Sequence, residues 1–213
     1  MGGEVLEGGV MMDDLTLLWD GGVAPGPADN SWILSHGSRP CEVGSVVSPA
    51  IPDEANHFAA ARFTLPFSPF MITHIEYALA SSEMTPSCTA ALAHEVHLYV
   101  IDANEPIPTS PSSEAILTEV IQVASDESKP FGRGVNLTLA QPITLEDNQS
   151  LVVSVQMKLE GEAHLCIGYC IDQRAPVGSQ FWSSAASEPY SWTDLSTFNL
   201  NEAYIIMIEG VPL

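Results

Sequence analysis

Basic side chains are scarce in this sequence. Its 213 residues include 6 Lys and Arg against 27 Asp and Glu, a formal net charge of −21 at pH 7. Binding to nucleic acid depends on clustered Lys and Arg, so the composition predicts no nucleic-acid partner. The acidic excess is typical of a solvating shell in salty or extracellular media, or of a protein that binds cations such as calcium.

Long apolar runs are also missing. No stretch approaches the roughly 18 consecutive apolar residues of a membrane span, so we expect no membrane insertion. Residues 1–9 carry acids where a signal peptide carries bases. Few Lys, many small polar residues and an even count of 4 Cys are nevertheless typical of exported proteins. We therefore expect an extracellular or cell-surface protein, with its signal peptide absent from this chain.

Helical periodicity does not persist beyond about a dozen residues, whereas period-2 alternation of apolar and polar residues recurs. It predicts strands at the following segments: 57–65, 70–80, 95–101, 135–139, 149–159, 164–170, 180–182 and 203–210. In residues 115–123 the alternation is imperfect and a strand competes with a short helix; the β surroundings favour the strand. Short strands separated by turn-rich loops predict an all-β, two-sheet antiparallel β-sandwich of jelly-roll type.

The domain organisation follows from composition. Residues 1–30 are rich in Gly, Pro and Asp around the apolar island 15–19, which indicates a flexible N-terminal segment with a first strand or a short helix. Residues 31–213 then form a single sandwich domain. Within it, residues 30–54 resemble a long loop whose one strand candidate is 45–47.

Three short motifs near the C-terminus carry a family resemblance. They are Phe-Trp-Ser-Ser at 181–184, Pro-Tyr-Ser-Trp-Thr-Asp-Leu at 189–195 and Asn-Glu-Ala-Tyr-Ile-Ile-Met at 201–207. This pattern resembles the ending of exported bacterial jelly-roll β-sandwich accessory domains, which are appended to secreted hydrolases, adhesins and surface lipoproteins. The resemblance covers roughly residues 57–210 and implies a fold and no catalytic residues.

Aromatic residues in these motifs are candidates for ligand binding. Trp182, Tyr190 and Trp192 would form a glycan-binding platform if their faces were exposed beside polar groups. Packing beneath a loop uses the same residue types and is the simpler interpretation. Residues 183–192 are expected to form a surface hairpin in either case.

Catalytic motifs are not evident. His94 and His97 lie three residues apart, which on a strand places them on opposite faces and disfavours a zinc site. The sequence has no Gly-x-Ser-x-Gly elbow and no phosphate-binding loop. We therefore expect a non-enzymatic accessory or binding domain, with a glycan or protein ligand or a spacer role. The alternatives are a self-assembling structural subunit and a hydrolase that uses paired acidic residues; the oligomeric state stays open.

Calcium is the one cofactor that the sequence suggests. Asp102, Asn104 and Glu105 in one loop, and Asp147 in another, offer the hard oxygen ligands that calcium prefers. Neither loop matches an EF-hand. Turn formation by Asp and Asn explains both clusters without a metal.

The four cysteines, Cys41, Cys88, Cys166 and Cys170, are disulfide candidates. On a straight strand the last two would lie about 13 Å apart, beyond the roughly 7 Å limit for a disulfide, so their pairing would require a bend at Gly168. The other connectivities join Cys41 and Cys88 to the late pair in either order. We expect Cys88 to pair with one of the late cysteines, with free buried thiols as the alternative.

Overall fold

The computed structural model describes residues 23–25, 31–36, 43–48, 57–65, 68–80, 87–109, 115–122, 133–183, 189–200 and 202–213. Most of these residues are in strands. The strands are β1 Val23–Pro25, β2 Trp32–Ser35, β3 Val43–Val47, β4 Phe58–Thr64, β5 Phe70–Leu79, β6 His94–Asp102, β7 Leu117–Ile121, β8 Arg133–Leu145, β9 Gln149–Gln156, β10 Leu159–Glu160, β11 Ala163–His164, β12 Ile167–Arg174, β13 Gln180–Ser183, β14 Trp192–Asp194, β15 Glu202–Tyr204 and β16 Ile206–Pro212. A 3-10 turn spans Leu195–Phe198.

Two antiparallel sheets form a sandwich. The eight-stranded sheet has the order β1-β2-β16-β5-β12-β15, with β8 paired to β5 and β3 paired to β12. The six-stranded sheet has the order β14-β13-β4-β9-β6-β7. A small hairpin, β10-β11, lies outside both sheets. The predicted all-β sandwich is confirmed.

Between β4 and β9 the chain crosses repeatedly from one sheet to the other. The chain passes from β4 in the six-stranded sheet to β5 in the eight-stranded sheet and back to β6, and it repeats this crossing from β7 to β8 and on to β9. Such crossing connections are typical of jelly rolls. Neighbouring side chains of a strand point to opposite faces of its sheet. Strands with alternating apolar and polar residues can therefore turn one apolar face toward the core between the two sheets.

The core fills the space between the sheets. The six-stranded sheet contributes alternate residues such as Ala61, Phe63 and Val153, and the eight-stranded sheet contributes Ile75 and Tyr77 among others, all with 2% exposure or less. The predicted strands 57–65, 70–80 and 95–101 coincide with β4, β5 and β6 within a residue or two. Residues 115–123 contain the strand β7 and no helix among the described residues.

The N-terminal part differs from the sequence-based expectation. The segment 30–54, predicted as a loop with one strand at 45–47, contains β3 at that place but also β2, which pairs with β16. β1 lies inside the N-terminal segment 1–30 and pairs with β2. β2 is only four residues long, too short for alternation to reveal it, and forms because Trp32 and Leu34 pack into the core. The apolar island 15–19 lies outside the described residues.

A disulfide joins Cys88 to Cys166 across 78 residues of sequence. The prediction that Cys88 pairs with one of the late cysteines is therefore confirmed. Cys170 is also disulfide-bonded, and Cys41 lies outside the described residues. The described part of the chain contains no helix long and apolar enough to cross a membrane.

Candidate binding face

The six-stranded sheet buries one face in the core and turns the other face away from it. On this outer face Ala60, Tyr99 and Val152 form a second apolar cluster with Ile101 and Ile107. All five residues are buried, although the core lies on the opposite side of the sheet. Ile107 comes from the connection after β6, so this connection covers part of the outer face.

The three aromatic candidates divide between the two faces of this sheet. Trp182 packs against the core cluster, and its ring centroid lies 5.6 Å from that of His57. In the β13-β14 hairpin Ser183 lies opposite Trp192, whereas Trp182 lies opposite Thr193. Trp192 therefore faces outward, and the structure does not bring the two tryptophans together in one platform.

Tyr190 and Trp192 pack on the outer face around Phe58. The ring centroid of Phe58 lies 4.9 Å from that of Tyr190 and 6.5 Å from that of Trp192. Tyr190 is buried and Trp192 half-buried. These edge-to-face contacts are those of a packed aromatic cluster, and they leave little open ring surface for a sugar.

Two hydrogen bonds hold the connection after β6 against this cluster. The indole Nε1–H of Trp192 donates to the carbonyl oxygen of Pro108 at 2.9 Å. The backbone N–H of Tyr190 donates to the carbonyl oxygen of Thr109, also at 2.9 Å. The indole N–H of Trp192 and the backbone N–H of Tyr190 thus both have hydrogen-bond partners within the fold.

The two candidate calcium loops lie next to each other at one end of the sheet. The backbone N–H of Ala103 donates to the carbonyl oxygen of Asn148 at 2.7 Å and joins them. Inside the first loop the N–H of Glu105 donates to the Asp102 carbonyl, and the Glu105 carboxylate accepts from the Asp102 N–H. In the second loop the Asp147 carboxylate accepts from the Ser68 hydroxyl.

These hydrogen bonds are those of turns. Asn104 is exposed on the first loop. Among the residues that the structure describes, no group of three or more His, Cys, Asp or Glu side chains is arranged to hold a metal ion. Calcium binding at Asp102, Asn104, Glu105 and Asp147 therefore stays a prediction.

The outer face opens to solvent at β7, its edge strand. Ile116, just before the strand, is 52% exposed and Val120 is 68% exposed, and Thr118 between them is exposed as well. We call these three residues the β7 patch. Exposed apolar side chains on one face of an edge strand are a candidate interaction surface.

A polar cluster adjoins the β7 patch. Nε2 of His97 donates to the Glu95 carboxylate at 3.1 Å, and Nδ1 of His97 lies 2.9 Å from the hydroxyl oxygen of Thr118. The His97 side chain is buried, whereas that of Glu95 is 43% exposed. The buried hydroxyl of Ser154, directly opposite His97 in the sheet, has no hydrogen-bond partner among the described residues.

Sequence analysis did not identify Glu95 and Thr118 as site residues. The motif His-Glu-Val-His held a signal for Glu95, since residues two apart on a strand share a face. Thr118 carries no such signal, because its proximity to His97 depends on the pairing of β6 with β7.

His94 has a structural role on the opposite face. Its Nδ1 donates to the Leu92 carbonyl oxygen at 2.9 Å, and its Nε2 accepts from the Tyr77 hydroxyl at 2.6 Å. Burial lowers the pKa of His94 and raises the pKa of Tyr77, so both groups stay neutral near pH 7. The two histidines face opposite sides of β6, as the spacing indicates, and they do not share a site.

Comparison of the chain with models of known protein families and with curated proteins gives no match.

Proposed function

We propose that this chain is a non-catalytic accessory or binding domain of an exported protein, and that it contacts its ligand through the β7 patch. The observation that carries the proposal is the exposure of Ile116 and Val120 on an edge strand beside the half-exposed Glu95. Elsewhere on the outer face, connections and the aromatic hairpin cover the apolar cluster that contains Tyr99.

Location outside the cell is part of this proposal. A disulfide between Cys88 and Cys166, together with the bonded Cys170, supports an oxidising compartment, since such bonds are rare in the cytosol. The low number of basic residues agrees with this environment.

The geometry supports a protein ligand better than a glycan. Glycan platforms use open aromatic faces, whereas Trp182 packs toward the core and Tyr190 is buried. The β7 patch instead offers aliphatic side chains around a hydroxyl, a composition suited to the side chains of another protein.

The test is parallel probing of a glycan array and an array of extracellular protein ectodomains, with calcium and then with EDTA. Val120→Asp places a charge in the β7 patch, and Val177→Asp makes the same change at a turn residue that is 81% exposed. We expect ligands on the protein array that bind the wild type and Val177→Asp but not Val120→Asp.

Three results would contradict binding of a ligand through the β7 patch. Equal loss or equal retention of binding in both variants would place the ligand elsewhere. No binding on either array would favour a spacer role. A signal that requires calcium would support the loops at Asp102 and Asp147 as the site instead.

A further inference from the structure

β7 has a hydrogen-bonded neighbour on one side only among the described strands. It pairs with β6 from Leu117 to Ile121 and ends the order of the six-stranded sheet. The main-chain groups along the free edge of such a strand are available to pair with a further strand. Natural edge strands often prevent this with Pro, Lys or an inward-pointing charge. β7, Leu-Thr-Glu-Val-Ile, has neither Pro nor Lys, and its inward-pointing charge, Glu119, would be neutralised by a basic residue on the added strand.

Side chains on both faces of β7 define what could pair with it. Ile116 and Val120 present exposed aliphatic surface on the outer face. Glu119 lies opposite Val96 in the register and is half-buried on the other face, and Glu95 adds a second carboxylate beside Val120. An added strand would therefore meet aliphatic side chains on the outer face and one carboxylate, that of Glu119, on the other face.

Charge complementarity decides the occupant. A second copy of this chain would bring its own Glu95, Glu119 and net charge of −21 to the same edge. Like charges placed opposite each other on paired strands are destabilising. A segment that carries Lys or Arg at the position opposite Glu119 would instead form an attractive cross-strand pair.

We infer that the free edge of β7 takes up an extended, cationic polypeptide segment as a seventh strand, with apolar side chains over Ile116 and Val120 and a basic one opposite Glu119. This inference rests on the proposed binding function and names the class of partner. Main-chain hydrogen bonds supply affinity in such strand addition, and alternate side chains supply specificity.

The test uses the fluorescein-labelled peptide Val-Thr-Val-Lys-Val-Thr-Val, followed by fluorescence anisotropy with the full chain. With Lys opposite Glu119, its Val residues lie opposite Ile116 and Val120 in either strand direction. A second peptide replaces Lys with Glu, and a third is N-methylated at its Val and Lys residues, which removes the backbone donors. On the protein side Glu119→Lys reverses the charge on β7. Glu160→Lys makes the same change at an exposed residue of the β10-β11 hairpin.

Strand addition predicts a crossed pattern. The wild type and Glu160→Lys bind the Lys peptide about tenfold more tightly than the Glu peptide, Glu119→Lys reverses this preference, and the N-methylated peptide fails to bind. Three results overturn the inference. They are equal weakening of Lys-peptide binding in Glu119→Lys and Glu160→Lys, binding of the N-methylated peptide, and no binding of the Lys peptide to the wild type.

Two further measurements separate other occupants. A mass in light scattering that doubles with concentration, and returns to the monomer in Glu119→Lys, would assign the edge to a second copy and overturn the inference. Loss of array binding in Val120→Asp without any peptide binding would leave the proposed function in place and overturn strand addition alone.

Discussion

The indole N–H of Trp192 donates a hydrogen bond to the carbonyl oxygen of Pro108, which follows β6 by six residues and precedes Trp192 by 84. This bond joins the β13-β14 hairpin to the connection that covers the outer face of the six-stranded sheet. Trp192, which the sequence suggests as a ligand-binding residue, therefore has a structural role. The bond also makes the packing interpretation testable.

Trp192→Phe should keep the contact with Phe58 and remove the hydrogen bond to Pro108. Leaving this carbonyl unpaired in a half-buried place should lower the free energy of unfolding by about 1–2 kcal/mol. Urea denaturation followed by circular dichroism measures the change. Phe181→Leu serves as a control on the same face: it removes aromatic area and the cation–π contact with Arg62 but leaves the hydrogen bond to Pro108 in place. An unchanged stability together with lost ligand binding would instead support a platform role for Trp192.

Gly210 lies where β16 meets a bulge in β5. Glu209 pairs with His74 and Gly210 with Ile72, so Thr73 is the extra residue. A Cβ built on Gly210 would lie 2.2 Å from the carbonyl oxygen of Met71 and 2.9 Å from Cα of Ile72. Both are backbone atoms, which cannot move aside as a flexible side chain can.

Gly210→Ala should therefore destabilise the protein by about 2–4 kcal/mol, as overpacking against backbone does. Gly161→Asn is the control, because Gly161 has a φ of 64° with nothing within 4 Å of its built Cβ, and Asn tolerates this conformation. Urea midpoints of the two variants give the comparison. Equal midpoints would show that β16 shifts at little cost.

The disulfide between Cys88 and Cys166 should contribute strongly to stability. It closes 78 residues of sequence, and the chain-entropy model assigns a loop of this length about 4.5 kcal/mol. Both cysteines are buried, so the double variant with Cys88→Ala and Cys166→Ala keeps apolar side chains at both places. Thermal unfolding with the Cys170 disulfide intact measures the loss. A shift of less than about 1 kcal/mol would mean that packing alone holds this region.

Sequence alternation predicted strands well where one face is apolar, as in β4, β5 and β6. It could not assign Trp182 and Trp192 to faces. These residues are ten apart and would share a face on one continuous strand, but the hairpin register pairs Trp182 with Thr193. The cluster of Glu95, His97 and Thr118 was missed for a related reason, since pairing between separate strands leaves no local pattern.

His36 should make stability depend on pH. It stacks on Phe63 with ring centroids 4.6 Å apart, and its Nδ1 accepts from the Gln180 side-chain amide at 2.5 Å. The Gln180 oxygen accepts from the Tyr204 N–H at 3.0 Å, which fixes the amide orientation. Burial lowers the pKa of His36 from 6.5 to about 4, although a backbone hydrogen bond at Arg62 opposes this shift.

The sign follows from where the proton binds more tightly. Between pH 6.5 and about 4 the unfolded chain is protonated at His36 and the folded chain is not, so acidification favours unfolding by up to about 3 kcal/mol. Above pH 6.5 this contribution is complete and constant. His36→Phe keeps the stacking on Phe63 and removes the titration.

Protonation of the many carboxylates relieves repulsion over the same pH range, so the comparison is made between proteins. We expect the unfolding free energy of the wild type minus that of His36→Phe to decrease as the pH falls from 7 to 4, because only the wild type loses stability through His36. Urea denaturation at each pH measures it. A constant difference would place His36 in contact with solvent.

Salt should raise the thermal stability, because 27 acidic residues face 6 basic ones and most carboxylates therefore have no basic partner. The Debye length falls from about 30 Å at 10 mM salt to about 8 Å at 150 mM, which is short enough to screen repulsion across the surface of a small domain. We expect the melting temperature to rise by several degrees over this range in NaCl and to level off near 0.5 M. Choline chloride should act equally if screening is the cause. A response to NaCl that choline chloride does not reproduce would instead indicate binding of small cations at particular carboxylates, and a flat profile would show that the acidic shell is too dispersed to repel itself.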